Sequence, residues 1–226
     1  MLGVVAASTD HASRVLVLGG GIVPSGTKKY TTGIRSTIDG NNFCGGSLIS
    51  PTHVLTTTAC LDGEQIKVVS AQNHTGYNST SDSYDVALLT LEKPSKFKPV
   101  QLPAADDSDV IPGMRPKLVG WGYTSYPNGL KSHELQGMSL EVWSNTDCAQ
   151  IYHLDDTMVC AGGVIGKDSC DGDTGGPLIK ERGSGDDDDI VIGLVSWGSE
   201  CGAGYPTVFS RVSKALEWIN SVTKRQ

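Results

Sequence analysis

Among the side chains of this sequence that could attack a substrate, the alcohol of Thr174 stands out, set between acids and glycines in DSCDGDTGGPL at 168–178. A side-chain alcohol is a weak nucleophile near neutral pH and must lose its proton as it attacks, so a base within hydrogen-bond reach is indispensable. Histidines are the first candidates for that base, and the chain has five: His11, His53, His74, His133 and His153. None sits in a recognisable motif. His53 enters an extended run six residues before Ala59 in VLTTTAC. At roughly 3.3 Å per residue its ring does not reach the place a side chain at 59 would occupy, and a surface role is expected for it. His74 lies in a polar loop, and His133 and His153 lie in polar stretches. The branched Cβ of threonine also stiffens χ1 and limits its aim. Alcohol chemistry at Thr174 is therefore expected to fail for want of a proton acceptor.

The elements that would hold these residues read as β-structure. Apolar and β-branched runs of strand length recur between Gly, Pro, Asn and Asp clusters: Val15 to Leu18, Gln65 to Val69, Asp85 to Leu91, Arg115 to Trp121 and Ile190 to Trp197. Such spacing predicts a sandwich or barrel. Pro94, Pro99, Pro103, Pro112 and Pro116, with Asp106, Asp107 and Asp109 among them, mark a crossing between two halves near 94–116. Only the last segment reads as a helix, with Ser213 as its expected cap and Val212, Leu216 and Ile219 on one face. Residues 1–14 are expected to be a remnant of a signal or pro region, and 15–226 the folded domain.

Charge and cysteine usage narrow the function classes. A formal charge of −7 over 226 residues argues against nucleic acid as a partner, which requires clustered Lys and Arg. No apolar stretch is long enough to span a membrane. Six cysteines without metal-type spacing read as three bridges made in an oxidising compartment, hence a secreted product. Taken alone, they allow fifteen pairings. The sequons at Asn73 and Asn78 are candidate glycosylation sites. The acidic run Asp186 to Asp189 reads as a solvated loop, because contiguous carboxylates rarely converge on one ion. No metal and no cofactor are expected.

Three segments, CGGSLISPTHVLTTTAC at 44–60, YDVALLTL at 84–91 and DSCDGDTGGPL, together resemble chymotrypsin-fold, trypsin-like serine proteases of peptidase family S1. The likeness runs from about Val15 to Trp218 and implies an all-β double barrel with a C-terminal helix. It also implies a degenerate triad: Ala59 stands at the histidine position and Thr174 at the serine position, leaving Asp85. In a protease of this mechanism, losing the serine or the histidine alone costs about 10⁶ in turnover. The same likeness makes Gly172 and Thr174 an oxyanion-hole relic. Asp168 becomes the floor of a specificity pocket with Ser196, Trp197, Gly198 and Thr207, where Thr207 replaces a glycine and narrows the slot. Asp168 is then expected to act as a structural acceptor.

Active relatives pair a cleaved amino terminus with the acid before the nucleophile, here Asp173. The matching stretch is Val17-Leu18-Gly19-Gly20, and Arg14 precedes it two residues too early for that switch to be used. The implied bridges are Cys44–Cys60, Cys148–Cys160 and Cys170–Cys201. Only 25 residues (85 less 60) separate Cys60 from Asp85, which implies a first barrel shortened by a strand.

VLTTTAC, GEQIKVVSAQNHT, YDVALLTLEKPSKF and DTGGPLIK are similar to the glucanase inhibitor proteins of oomycete plant pathogens. That likeness implies a secreted, catalytically inactive effector, monomeric in the plant apoplast, that binds and inhibits host endo-β-1,3-glucanases and suppresses glucan-elicited defence. The alternatives are a weakly active trypsin-like endopeptidase using Thr174, and a diverged homologue binding some other extracellular protein or carbohydrate.

Overall fold

A computed structural model describes residues 17–35, 40, 42–61, 68–127, 129–183 and 185–224. Its strands form two antiparallel sheets. The first runs in the order β2 (Thr31–Ile34), β3 (Cys44–Ser50), β4 (His53–Thr56), β6 (Ala87–Leu91) and β5 (Val68–Asn73). The second runs β1 (Gly21–Ile22), β8 (Gln136–Ser139), β7 (Lys117–Gly120), β10 (Pro177–Lys180), β11 (Ile190–Trp197), β12 (Pro206–Arg211) and β9 (Met158–Gly162). A one-turn helix α1 (Asn145–Cys148) and a closing helix α2 (Val212–Thr223) complete the chain. The architecture is an all-β double barrel with a C-terminal helix.

Strands β3 and β11 are buried along most of their length instead of alternating, because each is covered on both faces. One apolar cluster joins Ile34, Leu55 and Leu88 of the first sheet to Val119 and Leu194 of the second, and to Ile219 of α2. A second cluster fills the other half with Leu118, Leu178, Ile192 and Phe209. The loop bearing Thr174 lies where these halves meet.

Several local expectations change. Residues Val17–Gly19 form a 3-10 turn instead of a strand, while 15 and 16 lie outside the described residues. Strand β5 begins at Val68; 65–67 lie outside the described residues, as do 1–14 with His11 and Arg14. Helix α2 is preceded by Arg211 as its cap, without a side-chain cap bond, and Ser213 sits inside the first turn. The Ser213 hydroxyl turns to Asp107 of the crossing segment, so a tertiary partner has displaced the local one. The buried positions of α2 are Val212, Ser213, Ala215 and Ile219, with Leu216 half-buried at their margin.

The acidic run is not a uniformly solvated loop. Asp187 is exposed, but Asp189 is fully buried, accepting from Lys28 Nζ at 2.6 Å and from the Tyr30 hydroxyl at 2.6 Å. Lys28 itself is 6 % exposed and also contacts Glu181 at 2.6 Å. Burial opposes its charge, and the hydrogen bonds to Asp189 and Glu181 outweigh burial and raise its pKa. Among the described residues no helix is long and apolar enough to cross a membrane.

Candidate functional site

The Thr174 loop is anchored by backbone approach. Gly45 N–H of β3 donates to Thr174 O at 2.7 Å, and Gly175 N–H donates to Val195 O of β11 at 2.8 Å. Gly175 has φ +76°, and a Cβ there would lie 2.2 Å from Thr56 Oγ1 and 2.5 Å from Gly45 O, so only glycine lets the loop close on the first sheet. The Cys44–Cys60 bridge ties β3 to the 3-10 turn Thr58–Leu61 that carries position 59. Cys148–Cys160 and Cys170–Cys201 close the other two bridges.

Asp85, at the mouth of β6, is 4 % exposed and holds two donors: Thr58 N–H at 2.7 Å and the Ser196 hydroxyl at 2.7 Å. Burial raises its pKa, and those two bonds partly offset the rise. Ser196 therefore faces Asp85, not the Asp168 slot. The Thr174 hydroxyl is half-exposed and makes no hydrogen bond among the described residues. Its neighbour Gly172 adopts φ +100° beside Lys131.

No described imidazole hydrogen-bonds to Asp85 or Thr174. His53 is 2 % exposed, which corrects its expected surface role: it points into the first sheet with Nδ1 at 2.7 Å from Ser50 Oγ, and its Nε2 has no partner. Its burial lowers its pKa. Ser50 Oγ and Thr52 Oγ1 partner the ring inside the sheet. His74 stacks on Tyr84 at 4.4 Å with Nδ1 accepting from Gly76 N–H, while His133 and His153 are exposed.

Around Asp168 the slot is filled from within. Its Oδ1 accepts from the Thr207 hydroxyl at 2.6 Å and its Oδ2 from Gly202 N–H at 3.0 Å; Ser169 Oγ lies 2.8 Å from Thr207 Oγ1. Burial raises the Asp168 pKa, against the pull of these donors. Gly198 backs onto Thr207, and Trp197 packs edge-on to Tyr152 with ring centroids 5.0 Å apart. Replacing Thr207 by valine keeps the shape and strands Oδ1, so a loss of about 1–3 kcal/mol is expected in urea unfolding. Thr207→Ser should retain most of that stability, and equal stability of the valine variant and the parent would refute the role given to the hydroxyl.

Asp173 is fully buried, accepting from Gly122 N–H at 2.8 Å and Cys170 N–H at 3.0 Å. Burial pushes its pKa up to about 6. The Val17–Gly19 turn does not reach it: Leu18 O accepts from Asp168 N–H at 3.3 Å instead. Asn73 and Asn78 are both exposed.

The chain belongs to the trypsin family, whose pattern residues 18–219 match. Within it, the chain is similar to glucanase inhibitor proteins of Phytophthora. It is 73 % identical to glucanase inhibitor protein 3 of Phytophthora infestans over 243 aligned positions, covering 99 % of this chain and 94 % of the relative. It is 74 % identical to glucanase inhibitor protein 4 of that organism over 233 positions, covering 94 % and 91 %, and 59 % identical to glucanase inhibitor protein 2 of Phytophthora sojae, covering 96 % and 83 %. The first alignment exceeds the 226 residues of this chain, so at least 17 of its positions (243 less 226) have no residue here.

Proposed function

We propose that this protein is a secreted, catalytically inert trypsin homologue that binds plant endo-β-1,3-glucanases and inhibits them by occlusion. The observation that carries the reading is its identity of 73 %, over almost its whole length, to a protein named as a glucanase inhibitor. The local chemistry supports inertness. Asp85 accepts from Thr58 and Ser196, the Thr174 hydroxyl bonds to no base among the described residues, and Asp168 is met by Thr207 where a substrate cation would go. Three bridges suit an oxidising compartment. Asn73 and Asn78 are the proposed glycosylation sites, and a monomer is the proposed active form.

Loops near the old cleft provide apolar anchors, with Leu130 and Ile165 each 82 % exposed. Inhibition would arise from covering the glucanase, without peptide products. Mixing the purified protein with a plant endo-β-1,3-glucanase should reduce glucan release; unchanged release at micromolar excess across several isoforms would sink the proposal. Arginine-ester hydrolysis should stay at background in both the parent and Thr174→Ala. Turnover lost only in the variant would instead establish the endopeptidase reading.

A further inference from the structure

Among the described residues the first sheet ends at β2 on one side and at β5 on the other. The direction of the free groups on β2 follows from its neighbours. Tyr30 O accepts from Leu48 N–H, and Ile34 O accepts from Phe43 N–H. Gly45, opposite Gly33 in the register, gives its N–H to Thr174 O. Alternation along an antiparallel pair then turns the N–H and C=O of Gly33 away from β3, and neither has a partner among the described residues. Gly33 is nonetheless buried, so among the described residues these are ladder groups without a partner at the wall of a cleft. Thr31 Oγ1, on the same strand, is also buried without a partner.

That cleft is a cavity of about 440 Å³ bounded by β2, with Trp121, Leu135 and Phe97 supplying apolar surface. Its size lies within the usual range for ligand sites. Lys29 and Lys96 stand exposed on its rim and form no ion pair among the described residues, and Glu134 is the one carboxylate among its described lining residues. In a chain of net charge −7 this is a locally cationic groove. It touches none of Asp85, Asp168 or Thr174, so it is separate from the degenerate site.

We infer that this groove binds an extended acidic segment of a partner protein, which adds to β2 as a strand. Gly33 would supply the main-chain pairing, the apolar wall would take alternate side chains, and Lys29 and Lys96 would select carboxylates on the outward ones. The inference does not depend on the partner being a glucanase, since the test uses synthetic peptides and no enzyme.

The probe is an acetylated octapeptide alternating valine and glutamate, titrated against the full chain by fluorescence anisotropy, with amide exchange followed at Gly33. Saturable binding and slowed exchange at Gly33 are expected. The double variant Lys29→Glu, Lys96→Glu should bind at least about tenfold more weakly because two attractive rim charges become repulsive, whereas Lys93→Glu, an equal charge change outside the groove, should bind like the parent. Methylating the peptide's backbone nitrogens should abolish protection, which charge attraction alone would not predict. Unchanged Gly33 exchange, equal binding of a valine–lysine peptide, or protection only by a peptide carrying the residues that glucanase inhibitor protein 3 has and this chain lacks would each overturn the inference.

Discussion

Replacing Lys28 by methionine is expected to destabilise the fold by about 3–5 kcal/mol, the usual cost of removing one member of a buried ion pair. Asp189 is fully buried, and its Oδ1 already lacks a hydrogen-bond partner, so its charge depends on what reaches Oδ2. Among the described residues only the Lys28 ammonium and the Tyr30 hydroxyl do so, each at 2.6 Å. Without the ammonium, one neutral donor faces a carboxylate that water cannot reach. Methionine occupies similar volume, and like lysine it must accept the left-handed backbone at 28, where φ is 51°. The comparison therefore isolates charge from shape and strain. Combining Lys28→Met with Asp189→Leu should cost much less than the two single changes added together, since removing both charges removes the desolvated ion along with its partner. Urea midpoints of the four proteins measure the coupling. A loss below about 1 kcal/mol for Lys28→Met would mean that the ammonium does not balance Asp189. The same contacts hold the 26–30 turn that feeds β2, so loss of Lys28 should also loosen the edge where strand addition is inferred.

That network shows where sequence reasoning stops. The fold class was legible because ALLTL, KLVG, IVIGLVSW and the closing helix each carry enough apolar pattern to declare their element locally. Lys28 and Asp189 lie 161 positions apart, and nothing near either announces the other. A run of aspartates looks solvated because three of its members need no burial to be satisfied, and composition cannot say which one turns inward. His53 was opaque for a related reason. Nothing in the local sequence says that its ring is buried, because a short polar cluster with Ser50 and Thr52 can satisfy it inside a sheet. At the candidate site, the segments around 59, 85 and 174 were visible as separate motifs. What no motif carries is the hydroxyl of Ser196 on Asp85, or the turn of Leu18 toward Asp168 in place of Asp173.

Asp173 should reverse the usual dependence of stability on acid. Its carboxylate is enclosed by the Gly120 to Gly122 segment, where a Cβ at either glycine would lie within 2.3 Å of a carboxylate oxygen, and no cation bonds to it among the described residues. Burial dominates, Lys131 helps only at a distance, and the folded-state pKa rises from 3.8 to about 6. Between those values the folded chain binds a proton that the unfolded chain has released, so the slope of stability against pH is negative. The contribution is fully present below about pH 4 and is lost as pH rises through about 6, amounting to about 3 kcal/mol. Asp85 and Asp168, also raised by burial, act in the same direction. Asp109 opposes them: burial pushes it up, but Lys180, Ala104 N–H and Arg182 outweigh burial and hold it at about 2. Its share is present above about pH 4 and is lost as pH falls through about 2, roughly 2 kcal/mol. Taken alone, the Asp173 and Asp109 contributions meet between about pH 4 and 5; His53 and His74, whose pKa values burial lowers, add stability as pH rises toward neutrality, so the Asp173 effect is read as the difference in slope between parent and variant. Asp173→Asn removes the titrating proton, and the decline from about pH 4 to 6 should flatten in that variant whatever its absolute stability, while the acid limb from Asp109 remains. A variant with the parent's slope would mean that Asp173 is ionised throughout this range in the folded state.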